Sequence, residues 1–483
     1  MFALPAAVSP EGKGRPRRAR QFAMMCAAMA CAFAAATASA APSVYPTGVT
    51  RYEPARAWNG YTVFSGQDGK THLIDMNGNE VHQWQHVGFP PVLLDPVLAG
   101  GKRGNILLQL ANAPGAASGN GLGNKAIGEL DWSGKVVWQW GEGAQDAYAS
   151  ATVQSTGSPQ GGVKQHHDWR RLPNGNTLVL ANQVHAVAGF KAAQVLDDVI
   201  YEVTPKGDVV WKWVASEHVE EFGFSPEALK LVRAAQPRNG ATAVDYLHVN
   251  NMSVVGPNKW YDQGDTRFHP DNVLINSREA NFIIIIDKKT GKVVWNLGPD
   301  YPAIGPTSVP RPVDQIIGLH DAHVIPPGLP GAGNLLVFDN QGEAGYPKVS
   351  PGMFPHSRVL EIDPVTKQIV WQYTAANSGQ TLWSFYSAFI SSARRLPNGN
   401  TLVDEGMNGR FFQVTPQGDI VWEYVSPYFG NSAVGGAGKT VKTNWVYRAQ
   451  PVPYDWAPAG TPRSEKPVAA QNADSGVKVA GQH

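Results

Sequence analysis

Leu172-Pro173-Asn174-Gly175-Asn176-Thr177-Leu178-Val179 returns, residue for residue, as Leu396-Pro397-Asn398-Gly399-Asn400-Thr401-Leu402-Val403. In both copies a Pro-Asn-Gly-Asn turn joins two runs of strand-forming residues, a strong hairpin signal. Around the first copy the pattern extends. Trp169–Leu172 and Thr177–Ala181 read as one strand pair. Val199–Val203, the turn Thr204-Pro205-Lys206-Gly207 and Asp208–Val214 read as the next. The unit closes on a glycine turn, two β-branched residues and a tryptophan. That phrase occurs six times, loosely at Trp84 and then ending at Trp138, Trp211, Trp295, Trp371 and Trp422, spaced 54, 73, 84, 76 and 51 residues apart. Four antiparallel strands repeated six times predict an all-β, six-bladed β-propeller with the tryptophans packed between blades. A pair of β-sandwiches would not bring one phrase back in register.

The spacings exceed the ~40–45 residues of a compact blade, and the surplus has a pattern. The tight turns fall at the bottom of the predicted blades. Long segments fall at second-to-third turns (Ala181–Asp198, Asn340–His356) or between blades (Ala215–Tyr246, Pro299–Gly318), all at the top. Val255–Asp271 is a long bottom loop. Ser225-Pro226-Glu227 reads as a helix start, and Pro226–Ala234 as a small lid. Functional loops gather on one face of a rigid scaffold, so the long top-face loops mark the working face. The segment from Trp422 to Trp456 reads as a clasp over the last blade. These readings divide the chain into a signal segment 1–40, an N-terminal extension 41–57, the propeller 58–456 and a disordered tail 457–483.

Composition narrows the function. The 483 residues are 43% apolar and 16% charged, with 51 glycines, 37 prolines and 15 tryptophans, which is too apolar and aromatic for a disordered chain. Lys13, Arg15, Arg17, Arg18 and Arg20 against Glu11 give the first forty residues a net charge of +4, and the remainder carries −3. A nucleic-acid binder needs the opposite sign. The basic residues precede an apolar run from Phe22 to Thr37 and Ala38-Ser39-Ala40, the pattern of an export signal, through the Sec route or, on Arg17-Arg18, the twin-arginine route. Both cysteines, Cys26 and Cys31, lie inside it. A chain cut after Ala40 has no thiol for disulfides, iron–sulfur clusters or thiolate catalysis. Beyond the signal no run of 18 apolar residues spans a membrane. The reading is a periplasmic protein.

Aligned on their inner strands, His167-Asp168-Trp169-Arg170-Arg171-Leu172-Pro173 matches His320-Asp321-Ala322-His323-Val324-Ile325-Pro326 and Ser391-Ser392-Ala393-Arg394-Arg395-Leu396-Pro397. His248-Val249-Asn250 takes the same place in the fourth blade less cleanly. Three of the thirteen histidines therefore share a register, with Ser391 in the sixth blade. Asn250 shares the strand face of His248, and Arg278 lies where the second strand of that blade returns to the top. Asp168 and Asp321 are expected on the opposite face. His166, His323 and His356 read as structural or peripheral. Three imidazoles can hold a metal with one open position, as in a metal-dependent hydrolase. Equally, a neutral imidazole can attack as a nucleophile while Arg278, Asn250 and protonated histidines hold an anionic group. A propeller that binds a ligand without chemistry is the third reading.

The ordered series Leu73-Ile74-Asp75 through Gln83-Trp84, His167-Asp168 before Leu-Pro-Asn-Gly-Asn, Tyr246-Leu247-His248-Val249-Asn250, Ile275-Asn276-Ser277-Arg278, and His320-Asp321-Ala322 followed by Leu336-Val337-Phe338-Asp339-Asn340 resembles the bacterial arylsulfate sulfotransferases over residues 58–450. The resemblance implies a periplasmic six-bladed propeller. It would move a sulfuryl group from an aryl sulfate donor to a phenol acceptor through a sulfated histidine, without the nucleotide sulfate donor. It implies no cofactor and no metal, and leaves the oligomeric state open, a homodimer included. It assigns the nucleophile to His320 and sulfate binding to His167, His248, Asn250 and Arg278, with Ser391 as the last-blade hydroxyl. The sequence departs from the family in lacking a cysteine pair, in His323 where arginine is common, in a duplicated His166, and in the long separation of His248 from Arg278.

Overall fold

Turn chemistry builds the hairpins as expected. Leu172 N–H donates to the Asn176 carbonyl at 2.8 Å and Asn174 Oδ1 accepts the Asn176 N–H at 2.9 Å; the second copy repeats this at Leu396 and Asn398. Gly175 and Gly399 take φ of 84° and 91°, which L-residues with a side chain rarely adopt. The computed structural model describes residues 45–110, 126–141, 154–155, 164–238, 240–301, 315–432 and 441–470. The export signal, both cysteines and most of the Pro299–Gly318 insertion lie outside these residues.

Six sheets form the six blades. Blade 3 has strands Lys164–Arg171, Thr177–His185, Val195–Val203 and Val209–Val214, from the axis outward. Blade 4 has Val249–Val254, Val273–Ser277, Phe282–Ile286 and Val293–Leu297. Blade 5 has His320–Val324, Leu335–Asp339, Arg358–Asp363 and Gln368–Tyr373. Blade 2 runs from Val92–Leu93 to Val136–Trp140, and blade 6 from Ser392–Arg395 to Ile420–Val425. Both faces of a blade are covered, so an unbroken apolar run is tolerated. Phe282, Ile284 and Ile286 pack with blade 3 residues such as Ile200, and Ile283 and Ile285 pack with blade 5 residues such as Val337.

The tryptophans form a belt. Each indole N–H donates to a carbonyl in or beside the outer turn of the next blade: Trp84 to Asp131, Trp138 to Pro205, Trp295 to Pro364, Trp371 to Pro416, and Trp422 to Met76. Between blades 3 and 4 the bond comes from Trp213, two residues beyond the repeat tryptophan, to Gly291 at 2.9 Å.

The ring is closed from both ends of the chain, and here the expected boundaries shift. Gly48–Tyr52, placed in the N-terminal extension, is a fifth, outermost strand of blade 6, paired with Ile420–Val425. Gln450–Val452, expected in a clasp over the last blade, is the innermost strand of blade 1, paired with Tyr61–Ser65. Disorder expected from residue 457 does not hold for 457–470. Val468 bridges Tyr52, the Thr461 carbonyl accepts from Tyr61, and the Lys466 N–H donates to Asn77 at 2.8 Å. The expected helix is present at Pro226–Ala234, with Ser225 Oγ accepting the Ala228 N–H at 3.2 Å. Among the described residues no helix is long and apolar enough to cross a membrane.

Candidate active site

Counting upward from the inner hairpin turns fixes the true register. Leu172, Val255, Ile325 and Leu396 each donate their N–H to a carbonyl across the turn, those of Asn176, Asn272, Asn334 and Asn400, at 2.8–2.9 Å. Five residues above each stand His167, Asn250, His320 and Ser391. In blade 4 the amide of Asn250, not His248, holds the shared position. His248 lies two residues higher.

A bulge interrupts the inner ladder here in blades 3, 4 and 5, between Gln165 and Trp169, Val249 and Asn251, and His320 and His323. His167, Asp321, Ile390 and Ser391 take φ of 57°, 57°, 55° and 91°, backbone that strains a residue with a side chain and clusters at functional sites. The bulges overturn the expectation that Asp168 and Asp321 face away. Asp168 accepts the Met252 N–H of blade 4 at 3.2 Å, Asp321 accepts the Ala393 N–H of blade 6 at 3.2 Å, and Asn276 in blade 4 accepts the Ala322 N–H at 3.1 Å.

His320 is 2% exposed and held at both nitrogens. Nδ1 is 2.8 Å from Asn340 Oδ1 and 3.0 Å from the Gly318 carbonyl, both acceptors, so Nδ1 carries the hydrogen. Nε2 accepts the Ile390 N–H at 3.1 Å. Asn340 Nδ2 donates back to the Ile390 carbonyl at 2.8 Å, closing a loop around the ring. Burial, and then the positive charges of Arg278 and His248, hold its pKa well below the ordinary histidine value, against the opposing pull of Asn340. His320 is neutral, with its lone pair at Nε2.

His167 and His248 meet edge-to-face at 4.9 Å between ring centres. His167 is buried and its pKa is pushed well below ordinary by burial and by His248. His166 Nδ1 is 2.7 Å from His167 Nδ1, and its Nε2 lies 3.2 Å from Asp198. His248 Nδ1 lies 2.6 Å from Asp245 Oδ2, with side chains 29% and 36% exposed. Burial opposes a charge on His248, but the Asp245 carboxylate outweighs it and raises the pKa. The two central imidazoles are therefore driven in opposite directions, His167 toward its neutral form and His248 toward its cationic one.

The Arg278 N–H donates to the His248 carbonyl at 3.1 Å, so the strand pairing closes their long separation in sequence. The Arg278 side chain pairs with Glu279. Arg278, His248 and Asp245 line a cavity of about 550 Å³ with Arg238, Glu343 and Lys348 from the top-face loops. His320 is not among the lining residues, though the charges of Arg278 and His248 act on it. Asn250 is fully buried and largely occupied: Nδ2 donates to the Leu319 carbonyl at 2.9 Å and Oδ1 accepts from Asn276 at 2.5 Å. Ser391 Oγ accepts the Gly406 N–H at 3.0 Å and keeps its own hydrogen to donate. His323 lies deeper, its Nδ1 at 2.8 Å from the Asp321 carbonyl, and His356 is remote, bonded to the Phe354 carbonyl. Among the described residues no three His, Cys, Asp or Glu side chains converge as a metal would require. His166–His167, His248–Asp245 and doubly bonded His320 are turned to separate partners.

A family model, Arylsulfotransferase (ASST), matches residues 144–424, which include His167, His248, Asn250, Arg278, His320 and Ser391. The chain belongs to the arylsulfotransferase family. A search among curated proteins finds no match. Solved structures resembling this chain are distant. A protein of unknown function from Bacteroides caccae is 12% identical and aligns over 82% of this chain and 99% of its own, with a TM-score of 0.40. Apo AztD from Citrobacter koseri is 9% identical over 81% and 98% of the two chains, with a TM-score of 0.34.

Four residues around the candidate site escaped the sequence reading. Asn340 ended a quoted motif, and its pairing with His320 needed the blade 5 register to be seen. Asp245 was visible only as the third residue before His248. Phe89 stacks on Tyr447 at 3.9 Å and lies 5.3 Å from His167. Tyr447 also lies 5.5 Å from His167 and 6.3 Å from His320, and its hydroxyl donates to the Asn250 carbonyl. It belongs to a segment with no repeat partner, beyond the family match, so no alignment of blades reveals it.

Proposed function

We propose that this arylsulfotransferase carries a sulfuryl group on His320 between an aryl sulfate and a phenol. The observation that carries the reading is the fixed, neutral His320 ring, with hydrogen at Nδ1 and a lone pair at Nε2. In the first half-reaction Nε2 attacks the sulfur of the donor ester, an N–S bond forms and the S–O bond to the aryl group breaks. The Ile390 N–H must leave Nε2 for this, and the anionic sulfuryl oxygens offer it a stronger acceptor. Cationic His248 gives its proton to the departing phenolate oxygen. Arg278 and the Ser391 hydroxyl supply donors for the sulfuryl oxygens, where charge builds in the transition state. Neutral His248 then takes the proton of the incoming phenol, whose oxygen attacks sulfur, and the N–S bond breaks. The Phe89–Tyr447 pair offers a flat apolar wall for an aryl ring.

The test is incubation of the purified protein with a chromogenic aryl sulfate, with and without a phenol. The expected result is acceptor-dependent phenol release and a protein mass increased by one sulfuryl group, both lost in His320→Ala. Phenol release that persists in His320→Ala, or that never labels the protein, would sink the covalent route. The first forty residues add export to the periplasm to this reading, which cell fractionation of the full chain checks.

A further inference from the structure

In blade 1 Arg448 stands four residues above Val452, the end of the inner strand Gln450–Val452. Its guanidinium is 1% exposed and reaches three blades at once. Nη1 lies 3.0 Å from Asp168 Oδ2, Nη2 donates to Asn251 Oδ1 at 3.0 Å, and Nε lies 2.9 Å from Asp321 Oδ1. Each partner is the residue immediately after one member of the upper row, His167, Asn250 and His320. One side chain thus sits beneath the candidate site and ties together the three strands that present it.

We propose that Arg448 is a positioning residue that sets the placement and proton affinity of His167 and His320 through Asp168, Asn251 and Asp321. Arginine suits the role because its planar fork offers donors in three directions while a lysine ammonium is a point charge. Other groups face the same layer. Arg394 pairs with Asp321 at 2.5 Å and Arg170 lies 3.6 Å from Asp168. Burial pushes the Asp404 carboxyl well above the ordinary carboxylate range, which weakens it as a counter-charge. Tyr447 packs beside the guanidinium. His167 faces His248, His166 and His320 as well as Arg448, and His320 faces Arg278 and His248. Without Arg448 two buried carboxylates lose a shared cation, and the imidazoles one residue away gain affinity for protons. A histidine that must be neutral to attack is then partly protonated.

The proposal rests on the transferase reading for its kinetic arm only. Arg448→Met, Arg448→Gln and Arg448→Lys are compared with the wild type by histidine Cε1 NMR titration, with His167 and His320 assigned through His→Gln variants. The pH profile of kcat/KM is measured on the same samples. In the neutral variants His167 and His320 are expected to titrate at higher pH, and kcat at pH 7 to fall about tenfold or more with KM little changed, as for a loss of alignment. Arg448→Lys should restore the titration but not the full kcat. Unchanged titration in a folded Arg448→Met or Arg448→Gln overturns the proposal. If neither folds, wild-type kcat in Arg448→Lys overturns it. A titration shift in the neutral variants, when the wild type itself shows no sulfuryl transfer, upholds the positioning role and removes the transferase reading instead.

Discussion

Asp245→Asn isolates the acid that the mechanism assigns to His248. The substitution keeps the shape and a hydrogen-bond acceptor at the 2.6 Å contact and removes only the charge. At an effective dielectric of about 20, unit charges about 4 Å apart interact by about 4 kcal/mol. The two side chains are 29% and 36% exposed, so water screens the pair, and exposed pairs are worth about 0–1 kcal/mol. A value of about 1–2 kcal/mol sits between these limits and corresponds to about a five- to thirtyfold change in the fraction of cationic His248. The sign follows from the raised pKa: wild-type His248 stays protonated to higher pH than an ordinary histidine, and the variant loses its proton earlier. The alkaline limb of kcat/KM moves to lower pH in Asp245→Asn, while activity on the acid side changes little. The assay is a pH series with aryl sulfates of graded leaving-group pKa. Poor leaving groups, which need the proton most, should lose about five- to thirtyfold at the alkaline side, and very acidic phenols almost nothing. An unmoved alkaline limb, or an equal loss for every leaving group, would refute His248 as the acid.

Other consequences are quick to check. Phe89→Ala removes one leaf of the stack on Tyr447 and should raise KM for aryl donors about tenfold with kcat nearly intact, as an aromatic pair of about 1 kcal/mol or slightly more predicts; a loss in kcat alone contradicts it. Trp422→Phe deletes the indole bond to the Met76 carbonyl at 2.8 Å and leaves a small void, so urea denaturation should show about 2 kcal/mol lost. His323 is buried and its pKa lies well below ordinary, so it stabilises the fold above the ordinary histidine pKa and that stability is lost as pH falls. His323→Leu should therefore flatten the acid decline of stability by about 1.4 kcal/mol per pH unit relative to the wild type. Gly342→Ala should fail to fold or lose more than about 3 kcal/mol, since its Cβ would stand 2.1 Å from the Ala388 carbonyl oxygen beside the Asn340 clamp.

The fold was legible because its information is local. Pro-Asn-Gly-Asn writes a hairpin, and one tryptophan phrase per blade writes the belt; both survive insertion of long loops elsewhere. The site was only half legible, because an inner strand with a bulge defeats counting by twos. His248 looked like the partner of His167 and His320 until the bottom turn of blade 4, lengthened by Val255–Asp271, could be anchored at Val255. Asp168 and Asp321 looked outward for the same reason. Arg448 and Tyr447 left no trace, since the segment that carries them occurs once and its place at the axis depends on pairing with a strand nearly four hundred residues earlier.

That pairing has a consequence for the order in which the molecule can be made. Tyr61–Ser65 emerges among the first strands, yet the strand that covers its inner side, Gln450–Val452, is among the last. Throughout synthesis or translocation the nascent chain carries an unpaired apolar edge, the kind that recruits strands from other chains. Gly48–Tyr52 waits in the same way for Ile420–Val425. Every intermediate is an open arc with a sticky border at each end, and neither the ring nor the Arg448 layer exists until the segment from Arg448 to Val452 has arrived. A chaperone that shields edges, or transport only after folding is complete, would relieve this hazard. A truncated product ending before residue 447 would stay adhesive for as long as it lasted.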